Sequence, residues 1–183
     1  MDKLVLPRVT AILSPYSDFS KVPPDTLAAA GERGTAVHKF CEAYALGFYY
    51  PLIPELAGYG ESFKSWFKAY VVEVLAVEEE VYHPAFGYIG HVDLIATVAG
   101  IRPKQTVAVI DYKSPVTASR SWNCQIAAYL EASKERYGTE IAGALMLKKD
   151  GSLPKMIWLE DGSQAFNAFA GALSAFNYIK GAS

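Results

Sequence analysis

The sequence has few cysteines, no long hydrophobic run and no excess of one charge, and each absence excludes a class of protein. Two cysteines in 183 residues, Cys41 and Cys124, are too few for a disulfide-rich scaffold, a four-cysteine zinc site or an all-cysteine iron–sulfur site. Polar residues interrupt the longest weakly charged stretch, residues 162–180, so we expect no membrane span. No long apolar segment precedes Pro7, and we expect no secretory signal.

The net charge is also small. The 17 Lys and Arg side chains nearly balance the 19 Asp and Glu, which leaves a formal charge of −2. Any binding of nucleic acid must therefore come from a local basic patch. Apolar residues make up 51% of the chain and charged residues 20%, which is typical of a folded protein. The length favours a single domain, and reduced thiols fit a cytoplasmic protein.

The order of predicted elements favours an α/β or α+β sandwich, in which helices flank a central mixed sheet. Residues 1–76 are expected to form a helical N-terminal part and residues 77–183 a sheet with helices, within one domain. The first 24 residues are predicted to be irregular, and Asp25 is a candidate N-cap for a helix that Gly31 and Gly34 interrupt. The further predicted helices are 35–46, 57–75, 118–136 and 163–179. The predicted strands are 77–83, 88–98, 106–113, 140–147 and 155–159, the last two forming a hairpin.

Two acidic residues lie in otherwise apolar predicted strands. Asp93 follows Val92 in one strand, and Asp111 follows Ile110 in the next. Burying a carboxylate is costly unless it is paired or binds a metal. The two-residue period of a strand places Asp111 and Lys113 on the same face. Two acids and one amine are therefore expected to converge, and oxygen ligands of this kind suit Mg²⁺ or Mn²⁺. A salt bridge or a turn cap is the plainer explanation for either acid alone.

Four short motifs occur in the order found in one nuclease superfamily. They resemble the Gly-x-x-x-His, Gly-x-x-Asp, Asp/Glu-x-Lys and Gln-x-x-x-Tyr motifs of the RecB-like branch of PD-(D/E)XK nucleases. The matching segments are Gly34–His38, Gly90–Asp93, Asp111–Lys113 and Gln125–Tyr129. Each motif is weak alone, but together they are specific, and they extend over about half of the chain. The chain resembles small phage and prophage exonucleases, the group of lambda exonuclease and the mitochondrial genome-maintenance exonuclease.

The resemblance implies a restriction-endonuclease-like core and a metal-dependent deoxyribonuclease that hydrolyses phosphodiester bonds with a metal-activated water. The implied ligands of Mg²⁺ or Mn²⁺ are His38, Asp93, Asp111 and the backbone carbonyl of Tyr112. In the resembled family an acid preceding Gly-x-x-Asp assists at the metal centre. Strand periodicity puts Glu78 and Glu80 on one face, and we prefer Glu78 for this role. Lys113 would position the nucleophile and stabilise charge on the phosphate.

The resemblance further implies that the helix after Lys113 contacts DNA. Gln125 and Tyr129 would line the DNA channel, one helical turn apart. Arg120 is a candidate for phosphate binding and Trp122 for stacking on a base. The candidate basic patch consists of Arg120, Lys148 and Lys149.

Several of these residues have a plainer structural interpretation. A hydrogen-bonded core histidine is the alternative for His38, and core aromatic side chains are the alternative for Tyr129 and Trp122. Lys113 is equally compatible with a salt bridge to either aspartate. Glu42, one turn after His38, either orients the imidazole or is a solvated helix charge.

These motifs predict an exonuclease that acts on DNA ends in phage or bacterial recombination or repair. A recombinase or a single-strand-annealing protein is the expected partner, in the cytoplasm of a bacterial host. With two cysteines we expect no iron–sulfur cluster, and without a Gly-x-x-x-x-Gly-Lys-Ser/Thr segment we expect no use of ATP. The alternatives are a structure-selective or restriction-type endonuclease and a catalytically degenerate DNA-binding module. A generic metal hydrolase is disfavoured because the chain has no His-Glu-x-x-His segment.

Overall fold

The computed structural model describes residues 6–16, 22–114 and 120–180, and a five-stranded sheet lies at its centre. The strands are β1 (Val71–His83), β2 (Tyr88–Val98), β3 (Thr106–Lys113), β4 (Ile141–Met146) and β5 (Lys155–Trp158). They follow the order β1-β2-β3-β4-β5 across the sheet. Strands β3 and β4 pair in parallel, and the other neighbouring strands are antiparallel. The predicted mixed sheet and the predicted β4–β5 hairpin are confirmed.

The helices cover both faces of this sheet. They are α1 (Val9–Leu13), α2 (Pro24–Ala45), α3 (Ala57–Tyr70), α4 (Arg120–Tyr137) and α5 (Gly162–Lys180). On one face α1, α4 and α5 contribute to a core cluster that contains Ile95 and Val109. On the other face α2 and α3 contribute to a cluster that contains Leu94 and Ile110. Strands β2 and β3 are therefore buried on both sides, which accounts for their nearly continuous apolar sequence. No helix in the described ranges is long and apolar enough to cross a bilayer.

Helix α3 ends earlier than the sequence pattern predicts. The expected helix extended to residue 75 and the next strand began at residue 77, but α3 ends at Tyr70 and β1 begins at Val71. Residues 71–76 pair with β2, beginning with Val71 opposite Val98. Valines at positions 71, 72 and 74 favour this extended conformation. The helical N-terminal part therefore ends at residue 70, not 76.

The N-terminal helices also differ from the prediction. Gly31 and Gly34 lie inside one continuous helix, α2, and do not interrupt it. An isolated glycine costs about 1 kcal/mol in a helix interior, which is too little by itself to end a helix. The helix begins at Pro24, so Asp25 lies in the first turn and not at the N-cap. A short helix, α1, occupies part of the segment predicted to be irregular. The predicted helix start at residues 118–119 lies outside the described residues.

The parallel pairing of β3 with β4 determines which ends of the strands lie together. Helix α4 connects these two strands, and their carboxyl ends lie at the same edge of the sheet. The backbone N–H of Leu147, just after β4, donates to the carbonyl oxygen of Lys113 at 2.8 Å. Residues that follow β4 therefore lie beside the last residue of β3. In open α/β sheets such an edge is a frequent place for ligand sites.

Candidate active site

The two predicted carboxylates are buried where β2 and β3 meet. Asp93 and Asp111 are 7% and 2% exposed. They lie beside the residue pair formed by Leu94 and Ile110 in the antiparallel ladder. The Oδ2 atom of Asp93 accepts a hydrogen bond of 2.6 Å from the backbone N–H of Tyr112. The peptide between Asp111 and Tyr112 is therefore held directly by the neighbouring strand's carboxylate.

His38 on α2 reaches the next peptide, between Tyr112 and Lys113, from outside the sheet. Its Nε2–H donates to the carbonyl oxygen of Tyr112 at 3.0 Å, and its Nδ1 lies 3.3 Å from Oδ1 of Asp93. Burial disfavours the charged imidazolium, but the Asp93 carboxylate outweighs burial and raises the pKa of His38 to about 9. Both ring nitrogens are engaged by these two residues. Glu42 lines the adjoining cavity. The imidazole of His38 is oriented by Asp93 and not by Glu42.

Glu78 joins His38 and Asp93 through an irregularity in β1. It lies between the residue pairs Val77–Leu94 and Glu79–Val92, which places it opposite Asp93. Its φ of 50° is in the left-handed region, uncommon for a residue other than glycine. One potential ligand atom from each of His38, Glu78 and Asp93 lies within 4.8 Å of the others. Uncommon backbone angles of this kind cluster at functional sites, where the surrounding structure enforces them.

The neighbouring acids of β1 take other partners. Glu80 is exposed and pairs with Arg8 at 3.3 Å, and Glu79 pairs with Arg136 on α4. Glu78 instead lies 2.7 Å from Nε2 of His91. The sequence-based choice of Glu78 over Glu80 agrees with this placement. The sequence does not single out His91, and its one signal there is the two-residue spacing that puts it on the same face of β2 as Asp93.

Asp111 is held on its other side by α4. The Nζ atom of Lys113 lies 2.5 Å from Oδ2 of Asp111 and 3.3 Å from Oε1 of Gln125. The amide nitrogen of Gln125 donates to Oδ1 of Asp111 at 3.2 Å and to the hydroxyl of Tyr129 at 3.0 Å. The predicted one-turn pair, Gln125 and Tyr129, therefore orients the aspartate and lysine of the third motif.

The two other residues predicted on α4 differ in their surroundings. Trp122 is half-buried, and its ring lies 5.4 Å from Nζ of Lys113, a cation–π distance. Arg120 is exposed at the first residue of the helix. Trp122 thus covers the lysine of the cluster, while Arg120 is accessible to solvent.

The electrostatics of the cluster favour a bound cation. Burial raises the pKa of Asp111, and the Asp93 carboxylate adds to this rise, while the Lys113 ammonium opposes it. Burial and Asp93 also raise the pKa of Glu78. Although Oδ2 of Asp111 touches Lys113, it has no hydrogen-bond partner of suitable geometry among the described residues. A divalent cation would favour the ionised form of each acid, so this donor set fits Mg²⁺ or Mn²⁺.

A cavity of about 390 Å³ gives access to this cluster. It opens beside His38 and Glu78, and a turn of α2 that includes Gly34 lines its wall. An added Cβ at Gly34 would meet nothing within 4 Å. The cavity therefore has open space beside Gly34, next to His38 and Glu78.

Comparisons with known proteins give no relationship for this chain. No model of a protein family matches it, and a search of curated proteins found no match. The fold and the site define a buried cluster of three acids, a histidine and a lysine at the edge of a mixed sheet. The family resemblance rests on the four motifs, whose defining side chains lie around this cluster.

Proposed function

We propose that the protein is a metal-dependent DNA exonuclease of the PD-(D/E)XK type. The observation that carries the proposal is that four side chains surround the backbone of Tyr112. Asp93 accepts from the N–H of Tyr112, His38 donates to its carbonyl oxygen, and Lys113 pairs with Asp111 beside it. Carboxylates, a carbonyl oxygen and one imidazole form a donor set for a hard divalent cation. An ammonium group beside such a cation suits a reaction in which negative charge develops on a phosphate.

Each residue has a distinct part in the proposed reaction. His38, Asp93, Asp111 and the Tyr112 carbonyl would hold the ion, together with Glu78, whose ligand atom lies within 4.8 Å of those of His38 and Asp93. When bound, Mg²⁺ or Mn²⁺ supplies a Lewis acid that activates water and stabilises the leaving oxygen. Lys113 positions the attacking water and stabilises the charge that builds on the phosphate. Gln125 fixes the direction of the Lys113 side chain through the 3.3 Å hydrogen bond.

The proposal extends to the substrate and its setting. DNA ends are the proposed substrate, and Arg120, Trp122 and Gln125 are the proposed contacts. Tyr129 is 2% exposed, so it acts through its hydrogen bond with Gln125 and is not itself a contact. The proposed setting is phage or bacterial recombination or repair in the cytoplasm of the host, with a recombinase or an annealing protein as partner. Neither ATP nor an iron–sulfur cluster takes part in the proposed reaction.

Digestion of end-labelled linear DNA tests this function. We expect single nucleotides or short products to be released from single- or double-stranded DNA in Mg²⁺ or Mn²⁺, and none in excess EDTA. Closed circular DNA of the same sequence is the control for internal cleavage. Cleavage of the circle would favour the endonuclease alternative, since a circle has no end. Full activity in EDTA would overturn the metal-dependent mechanism, and no cleavage of any DNA would favour the degenerate binding module.

A further inference from the structure

A second cavity, of about 400 Å³, lies beside the loop that connects β4 with β5. We call it the lysine pocket, because three of the residues lining it are Lys148, Lys149 and Lys155. Lys148 and Lys149 follow β4, while Lys155 begins β5 opposite Met146. The two sides of one hairpin therefore bring three ammonium groups to one opening. A volume of this size is in the range of pockets that hold small ligands.

The charge of the lysine pocket is largely unbalanced. None of its three lysines forms an ion pair in the part of the chain that the structure describes. One carboxylate, Asp150, also lines the pocket. That carboxylate accepts hydrogen bonds from the backbone and hydroxyl of Ser152, at 3.0 and 2.7 Å, which lower its pKa. Three cations facing one acid give the pocket a net attraction for anions.

The N-terminal end of α3 adds to this attraction. Tyr59, in the first turn of α3, lines the pocket. Gly58 packs so closely on the hairpin turn that an added Cβ would lie 1.8 Å from the carbonyl oxygen of Lys149. The first turn of a helix carries a positive partial charge. The helix and the lysines therefore act on an anion in the same direction.

The pocket adjoins the candidate active site. Ser114, the residue after Lys113, is part of its lining. Lys113 pairs with Met146, another lining residue, in the parallel ladder of β3 and β4. Neighbouring strands lie about 4.8 Å apart, so the pocket begins one strand away from the proposed catalytic lysine. Met146 and Tyr59 also give it an apolar wall, as a nucleoside next to a phosphate requires.

We propose that the lysine pocket binds the phosphate of a nucleotide next to the one undergoing cleavage. This inference rests on the proposed function for the identity of the substrate. The same phosphate chemistry has two sources, a phosphodiester group within the bound strand and a free mononucleotide released as product. In the first case the pocket anchors the strand across the active site, and in the second it makes the enzyme subject to product inhibition.

A matched pair of double variants tests the pocket. Lys149→Gln with Lys155→Gln removes two of its charges, and Lys68→Gln with Lys180→Gln removes two exposed lysines elsewhere. Both double variants change the net charge equally. Binding of a short fluorescent DNA strand is measured across a salt series in Ca²⁺. For the pocket variant we expect the log–log salt slope to fall by roughly 0.7–0.9, which is the contribution of the one phosphate contact that the pocket provides. The control should keep the slope of the parent.

Competition by thymidine monophosphate, with thymidine as control, separates the two sources of phosphate. If thymidine monophosphate displaces DNA from the parent protein but thymidine does not, and if the pocket variant shows no such displacement, the pocket also binds the free nucleotide. A changed salt slope without competition assigns it to the strand. Equal DNA affinity, slope and competition in the two double variants would overturn the inference. Because these are binding measurements, a parent protein that cleaves no DNA would contradict the proposed function alone.

Discussion

At the scale of single residues, the backbone of Tyr112 connects most of the candidate site. Its N–H donates to Asp93, and its carbonyl accepts from His38. Asp93, Asp111 and Lys113 could be predicted from the sequence, because charged residues in apolar strands have few explanations. His38 lies on a helix, and only the resemblance to the Gly-x-x-x-His motif indicated it. The hydrogen bond between His91 and Glu78 could not be predicted in the same way. It depends on the left-handed conformation of Glu78, which no local sequence signal specifies.

The His38–Asp93 pair predicts a pH dependence of stability in the metal-free protein. Because the pKa of His38 is raised to about 9 in the folded state, its contribution to stability is complete below its usual pKa of about 6.5. That contribution is lost as the pH rises through 9. In EDTA, the urea midpoint of the parent should exceed that of His38→Gln most at pH 6, and the difference should shrink by pH 9.5. A difference that grows with pH would contradict this account.

Glu78 and Glu80 provide a matched test of the metal ligands. We expect Glu78→Gln to weaken binding of Mn²⁺ about 10–100-fold, because its carboxylate lies within 4.8 Å of the His38 and Asp93 ligand atoms. Glu80→Gln removes the same charge from an exposed pair with Arg8 and should leave the affinity within twofold. Titration calorimetry with Mn²⁺ measures both. Equal affinities for the two variants would remove Glu78 from the site.

At the scale of elements, apolar periodicity was a reliable guide where strands are buried on both faces. The predicted bounds of β2 and β3 agree with the structure, at Tyr88–Val98 and Thr106–Lys113. Periodicity failed at the junction of α3 and β1, because a residue such as Val74 fits either pattern until its pairing with Ala96 is known. Glycine was likewise a poor guide to helix breaks in α2, because its intrinsic cost of about 1 kcal/mol is too small by itself to end a helix.

The glycines of the first two motifs should respond to alanine in opposite ways. At Gly90 an added Cβ would lie 2.6 Å from Cδ1 of Tyr129, so Gly90→Ala should cost about 1–3 kcal/mol of stability and disturb the Tyr129–Gln125 hydrogen bond. At Gly34 the space is open, and Gly34→Ala should stabilise α2 by about 0.5–1 kcal/mol. Chemical denaturation measures both changes. A Gly90→Ala protein as stable as the parent would show that this close contact is not required.

At the scale of the whole molecule, the candidate site and the lysine pocket lie at one edge of the sheet. The carboxyl ends of β3 and β4 lie together there, between α2 on one face and α4 on the other. The candidate metal ligands and the lysine pocket are neighbours at this edge, although the whole chain carries a net charge of −2. Overall charge could therefore not reveal the basic pocket. It forms only when the β4–β5 hairpin brings Lys155 beside Lys148 and Lys149.

The most direct test of the central claim is the rate of cleavage of end-labelled linear DNA in Mg²⁺ by two lysine variants. Lys113→Met removes the ammonium beside Asp111, and Lys134→Met removes one that pairs with Glu131 on the surface of α4. Circular dichroism verifies that both variants are folded. We predict that Lys113→Met lowers the rate by about 10²–10³-fold and that Lys134→Met retains the rate of the parent. Cleavage by Lys113→Met at the parent rate would contradict the account.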